Sequence, residues 1–154
     1  MTEIKVVIWA VDDDETWLFL LQRFLKQHGV DLLVFGEHED FFDLLDDSVD
    51  IVLMDVHMPK FNIREGLKKM YAINNRILTI LMTAEPDYKT INSIRNGNGI
   101  FRFVEKGLWN ENNNPIAYIG EVINFNCFEA IRIFIEEAKQ HLILTQPIHE
   151  QLGR

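Results

Sequence analysis

Apolar residues fall along this chain in short solid runs and in helical stripes, and the two kinds alternate. Residues 4–11 are almost wholly apolar and rich in β-branched side chains, which predicts a first strand buried after Lys5. The acidic run Asp12-Asp13-Asp14-Glu15 ends it, and Trp17, Leu20, Leu21, Phe24 and Leu25 then recur at helical spacing until Gly29. Leu32-Leu33-Val34-Phe35 predicts a second strand, and Phe41, Phe42, Leu44 and Leu45 mark a helix amid acids. Ile51-Val52-Leu53-Met54 is a continuous apolar run, the pattern of a central parallel strand buried on both faces. It ends in Asp55, and Pro59 forbids continuation of the ladder. A third helix is predicted over 66–72, with Gly66 near its start, and a fourth strand over 77–82 that ends at Thr83-Ala84. A polar helix over 87–96 is closed by Gly97 and Gly99, and a fifth strand over 100–104 ends at Glu105-Lys106-Gly107.

Strand and helix thus alternate five times, in units of about 20 to 25 residues. That rhythm implies right-handed βαβ crossovers and a doubly wound parallel sheet of the α/β class with helices on both faces. The commonest order for five such strands is 2-1-3-4-5, a flavodoxin-like three-layer α/β/α sandwich. Precedent supplies that order, and the precedent includes the family named below. Residues 107–114 are polar and loop-like, and 115–144 are expected to be helical with a break at Asn124 to Asn126. In that segment Ile119, Ile123, Ala130 and Phe134 make one stripe, while Val122, Phe125, Phe128 or Glu129, Ile131 and Ile135 make a second, displaced one. A helix apolar most of the way round needs a second partner besides its sheet. A homodimer contact or a docked protein meets that need; so does a break that folds the segment onto its own core.

With 154 residues, 47% hydrophobic and 25% charged, the chain suits one soluble domain with a sizeable core. The net charge of −9 disfavours nucleic acid and suits a cation site or a basic partner. The lone Cys127 closes no internal disulfide, which with the absence of a signal-peptide pattern predicts a cytoplasmic protein. No stretch approaches the roughly 20 apolar residues of a membrane span, so no membrane contact is expected.

Ligands of open α/β sheets bind outside the carboxyl ends of the strands, at the point where the winding reverses. With strands 1 and 3 adjacent, Asp12, Asp13 and Asp55 meet at one edge. Carboxylates so placed repel one another unless a hard cation sits among them, and oxygen-only ligands in an open site suit Mg²⁺. Thr83 and Lys106 reach the same edge from strands 4 and 5. A hydroxyl and an ammonium beside a metal-bound carboxylate are what a transferred phosphoryl group needs on its equatorial oxygens.

In Val11-Asp12-Asp13-Asp14, Met54-Asp55-Val56-His57-Met58-Pro59, Thr83-Ala84 and Lys106 the chain resembles the response-regulator receiver domains of two-component signalling, over residues 1–106 with a looser match beyond. The resemblance implies one receiver domain over 1–144 and a tail over 145–154. It implies that Asp12, Asp13, Asp55 and the backbone carbonyl of His57 ligate Mg²⁺. Asp55 would accept the phosphoryl group of a sensor histidine kinase or phosphotransfer protein, Thr83 would be the switch hydroxyl, and Lys106 would pair with phosphate. Phe103 stands where the family keeps an aromatic that turns inward on activation. Gly107 replaces the proline usual after the lysine, and Phe61-Asn62-Ile63 replaces a Met-Asp-Gly turn.

Plainer readings accompany each residue. The acids at 12–15 suit capping of the first helix, Thr83 a helix entry, Lys106 the closing of an edge strand, Phe103 a sheet position and His57 a solvent-facing side chain. Trp9 and Trp17 are most simply core. Residues 107–154 carry three basic residues against six acids, which suits no basic recognition helix, so output through protein contacts is expected. Two rivals stand beside the phosphoacceptor. One is a pseudo-receiver that only binds proteins; the other is a Mg²⁺ phosphohydrolase, disfavoured by the absence of a cap domain.

Overall fold

The computed structural model describes residues 5–84, 88–95, 99–106, 108–109, 115–119 and 122–145. Strands β1 (Ile8–Val11), β2 (Leu33–Phe35), β3 (Ile51–Asp55), β4 (Leu78–Thr83) and β5 (Ile100–Glu105) form one sheet in the order β2-β1-β3-β4-β5. Every pairing in it is parallel. Helices α1 (Glu15–Gln27), α2 (His38–Leu44), α3 (Ile63–Ile73) and α4 (Tyr88–Arg95) connect these strands in turn.

The alternation of side chains along each strand divides the core in two. Ile8, Ala10, Ile51, Leu53, Ile80 and Met82 face one side, where α1 contributes Trp17, Leu18, Leu21 and Leu25. Trp9, Val11, Val52, Met54 and Leu81 face the other, against Phe41 of α2, Leu67 and Met70 of α3 and Ile94 of α4. The central strand β3 is buried at all five positions, as its unbroken apolar run requires.

Element ends follow local chemistry. Asp14 caps α1 by accepting the Trp17 N–H at 3.0 Å. At the other end Gly29, with φ of 76°, lets its own N–H reach Lys26 O at 3.1 Å and the Val30 N–H reach Leu25 O at 2.9 Å. That is a Schellman closure, which needs a left-handed residue at this position. α3 begins at Ile63, three residues before the expected start, because the Asn62 carboxamide accepts the Glu65 N–H at 3.1 Å. Gly66 lies inside that helix for a steric reason: a β-carbon there would strike the Phe61 ring.

Two expectations are corrected. β1 is shorter than 4–11: the strand ladder begins at Ile8, and Ile4 lies outside the described residues. More substantially, 115–144 is not helical throughout. Leu108–Trp109 (β6), Pro115–Ile119 (β7) and Val122–Asn126 (β8) make a separate antiparallel sheet in the order β6-β7-β8, and only then does α5 (Cys127–Thr145) begin. The two helical stripes therefore never form as drawn, since Ile119, Val122, Ile123 and Phe125 belong to strands. From Cys127 onward the helix does bury Phe128, Ala130, Ile131, Ile135 and Ala138, and it packs on the α1 face of the main sheet. The expected tail from 146 onward lies outside the described residues.

Candidate phosphoryl-accepting site

Parallel strands bring their carboxyl ends to one edge, and the register fixes which residues meet there. Val11 pairs with Met54, so Asp12 follows β1 just where Asp55 closes β3. Asp55 pairs with Met82, so Thr83 lies one residue beyond it on β4. Thr83 pairs with Glu105, and the Lys106 N–H donates to Thr83 O at 2.7 Å, which carries Lys106 to the same edge.

One carboxylate oxygen from each of Asp12, Asp13 and Asp55 falls within a 4.8 Å cluster. Asp12 and Asp55 are buried, and Asp13 is exposed. Burial pushes the Asp55 carboxyl up to about 8, with the Asp12 charge adding to it and Lys106 pulling the other way. The Asp12 carboxyl is also raised, by burial first and against the opposing pull of Lys106. Three oxygen donors at the open end of a sheet, two of them starved of water, suit a small hard cation of the Mg²⁺ kind. The donor set therefore fits the metal.

Among the described residues, Lys106 is the cation that pairs with Asp12 and Asp55. Its Nζ lies 2.5 Å from Asp12 Oδ2 and 3.9 Å from Asp55 Oδ1, and the side chain is nearly buried. The lysine thus leans on Asp12 more closely than on Asp55, a preference that strand order alone does not foretell. Asp12 Oδ1 accepts the Asp14 N–H at 2.9 Å, so this carboxylate serves both the notch and the entry of α1.

The remaining residues singled out from the sequence are also here or nearby. Thr83 is fully buried, with its backbone at the notch. His57 is exposed, and its N–H lies 3.4 Å from Asp55 Oδ1. Phe103 pairs with Leu81 inside β5 and is half-buried against the α2–α3–α4 core, one layer away from the carboxylates. Trp17 is core, as expected, but it has a second contact: the Lys106 Nζ sits 5.1 Å from its ring centroid. Its place one turn after the acidic run is the signal that could have marked it, because α1 starts at the same sheet edge.

The described residues contain no helix long and apolar enough to cross a membrane. Comparison with known proteins gives the site its context. The family model for the response regulator receiver domain matches residues 8–113. The transcriptional regulatory protein CpxR of Escherichia coli is 43% identical over 63 residues, which cover 41% of this chain and 27% of that protein. The transcriptional regulatory protein ZraR of Salmonella typhimurium is 31% identical over 87 residues, covering 56% of this chain and 20% of that protein. The matched stretches thus span 27% and 20% of these relatives' own lengths. Among solved structures, the signal receiver domain of an HD domain-containing protein from Pseudomonas fluorescens superposes with a TM-score of 0.69 at 22% identity, covering 90% of this chain and 97% of the other. A response regulator receiver domain protein from Clostridium thermocellum gives 0.67 at 20% identity, over 92% of this chain and all of the other (100%). The sheet order, the strand-edge carboxylates and the family match lead to one assignment: this chain belongs to the response-regulator receiver domains of two-component signalling.

Proposed function

We propose that the chain is a Mg²⁺-dependent phosphoacceptor that takes a phosphoryl group onto Asp55 from the phosphohistidine of a sensor kinase or phosphotransfer protein. The observation that carries this reading is the cluster of three carboxylates within 4.8 Å, with Lys106 at 3.9 Å from Asp55. An Asp55 carboxylate oxygen attacks phosphorus, an O–P bond forms, and the P–N bond to the imidazole breaks. The imidazole nitrogen leaves with the electron pair and takes up a proton. Asp12, Asp13, Asp55 and the His57 carbonyl would hold Mg²⁺, which when bound supplies charge to offset the phosphoryl oxygens. Lys106 turns from Asp12 towards the new phosphoryl group, and the Thr83 hydroxyl donates to another of its oxygens. Phe103, on the same strand that ends beside Lys106, is the aromatic that responds.

In this reading residues 1–144 act as one receiver domain, with the β6–β8 sheet inserted ahead of α5, and residues 145–154 are a tail. The domain turns over no external substrate, works in the cytoplasm and touches neither membrane nor nucleic acid itself. Its message leaves through protein contacts on the α4–β5–α5 side. CpxR and ZraR are named as transcriptional regulatory proteins, and the matches cover 27% and 20% of their lengths.

A second reading rests on the closeness of Lys106 to Asp12: an ammonium already seated among the carboxylates suits a pseudo-receiver that binds partners without phosphorylation. Incubation with Mg²⁺ and acetyl phosphate separates the two. A mass gain of one phosphate, absent in Asp55→Asn and after chelation, supports the phosphoacceptor. An unchanged mass under all conditions leaves the pseudo-receiver.

A further inference from the structure

We propose that Trp17 is a positioning residue for Lys106, its indole face holding the ammonium at the notch while leaving it free to pivot from Asp12 to a phosphoryl group on Asp55. The role rests on the phosphoacceptor reading and adds to it a residue outside the four strand ends. Lys106 Nζ lies 5.1 Å from the Trp17 ring centroid, inside the range of a cation–π attraction. Both partners are withdrawn from water, Trp17 at 1% exposure and Lys106 at 7%, so the attraction acts where it is strongest.

The ring itself is fixed. Phe128 of α5 packs against it in a tilted arrangement at 5.1 Å between centroids, and Phe24 lies against Phe128 at 5.6 Å. Its backbone is held as well: the Trp17 backbone N–H donates to Asp14 Oδ1 at 3.0 Å, and the Asp14 N–H donates to Asp12 Oδ1 at 2.9 Å. Asp12 Oδ2 lies 2.5 Å from Lys106 Nζ, so the carboxylate that meets the lysine is also tied, through Asp14, to the backbone that carries the indole.

The physical point lies in what an indole face does that a carboxylate cannot. An ammonium has three protons and a stem with four rotatable carbons, so a buried lysine near two acids has several competing positions. A carboxylate binds it along a defined hydrogen bond. A ring face attracts the charge broadly, without demanding a direction. Lys106 can therefore exchange Asp12 for phosphoryl oxygens with its charge still partnered throughout.

Rates of phosphate incorporation from acetyl phosphate at saturating Mg²⁺ test this on the full chain. Trp17→Leu is expected to slow incorporation about tenfold, the size of one desolvated cation–π contact, and Trp17→Phe about threefold because a weaker face remains. In a Lys106→Met background the same Trp17→Leu change should alter the rate by less than about twofold, since there is no ammonium left to hold. Equal slowing in both backgrounds would show a merely structural tryptophan and overturn the role, as would a Trp17→Leu rate matching wild type. If Trp17→Leu does not fold, the comparison is carried by Trp17→Phe and by the Lys106 ε-methylene resonance of the wild-type chain, which the indole should displace upfield; an undisplaced resonance overturns the contact. A displaced resonance with no phosphate on the wild-type chain would remove the phosphoacceptor reading and this role with it, whereas phosphate without coupling in the cycle removes the role alone.

Discussion

Asp55 is a buried carboxyl beside a second buried acid, and its proton sets how the site meets a cation. Burial and Asp12 push its carboxyl from the ordinary 3.8 up to about 8 when no metal is bound. Folding therefore favours the protonated acid between those values. The proton's contribution to stability is complete below about pH 4 and is lost as the pH rises through about 8, so this group makes the metal-free protein less stable across that window. Mg²⁺ needs the ionised form, and its binding must release the proton. Apparent Mg²⁺ affinity should accordingly rise with pH and level off above about 8, by up to about tenfold per pH unit on the way. Magnesium titrations followed by tryptophan fluorescence at several pH values check this, and Asp55→Asn should flatten most of the dependence. A wild-type affinity constant from pH 6 to 9 would contradict the raised carboxyl.

Gly66 supplies a second prediction at the same scale. Replacing a glycine inside a helix with alanine ordinarily stabilises by about 0.5 to 1 kcal/mol. Here the added methyl would meet the Phe61 ring, which is held by His38 at 5.0 Å and Phe42 at 6.5 Å. The sign should reverse: Gly66→Ala is expected to cost about 1 to 3 kcal/mol in urea denaturation, the usual penalty of overpacking. Gly66→Ala with Phe61→Leu should recover part of it. The carboxylates and Lys106 were legible in the sequence because a charge at the end of a buried apolar run is costly without a reason. The Phe61–Gly66 contact was not, because it joins a loop ring to a helix that the spacing alone starts three residues too late.

At the scale of elements, what the sequence discloses depends on whether the pattern belongs to one periodicity. The β3 run from Ile51 admits only a strand, and α1 shows its stripe, its Asp14 cap and its Gly29 stop together. Residues 115–126 admit two readings. Ile119 and Ile123 stand four apart, as on a helix, yet Ile116, Tyr118, Ile119, Val122 and Ile123 are the β-branched and aromatic types that favour strands. Gly120 between them is a residue type that favours turns, and the two halves pair antiparallel from Ile116↔Asn126 to Ile119↔Val122. Side-chain type was the better guide than spacing there, since a stripe can be drawn across a hairpin whose turn goes unnoticed. The α1 end offers a clean check on element closure. Gly29→Ala keeps every contact but forces a β-carbon into the left-handed region, and it should lower stability by about 1 kcal/mol with α1 otherwise intact. Thermal unfolding compared with Gly29→Asn, whose side chain tolerates the left-handed region better than alanine does, separates this strain from the general effect of losing a glycine.

The molecule as a whole joins a net charge of −9 to exposed apolar residues on its last helix, and those two features oppose each other. On α5, Ile133 and Leu144 remain 37% and 79% exposed. They are eleven residues apart, about three helical turns, and so lie on one stripe of the surface with Glu137 and Gln140 between them. A second copy meeting the first through that stripe would bury both residues. It would also bring two strongly acidic molecules together, and the repulsion weakens as salt shortens the Debye length from about 30 Å at 0.01 M to about 8 Å at 0.15 M. Self-association through α5 must therefore strengthen with salt, the reverse of an interface held by ion pairs. Sedimentation velocity between those two salt levels, with and without Mg²⁺ and acetyl phosphate, is expected to show the mass rising toward a dimer as salt increases, and Leu144→Lys should prevent it. A monomer under every condition would remove the helix as a self-contact. It would leave the stripe to a partner protein, for which the negative field of this chain would then favour a basic surface.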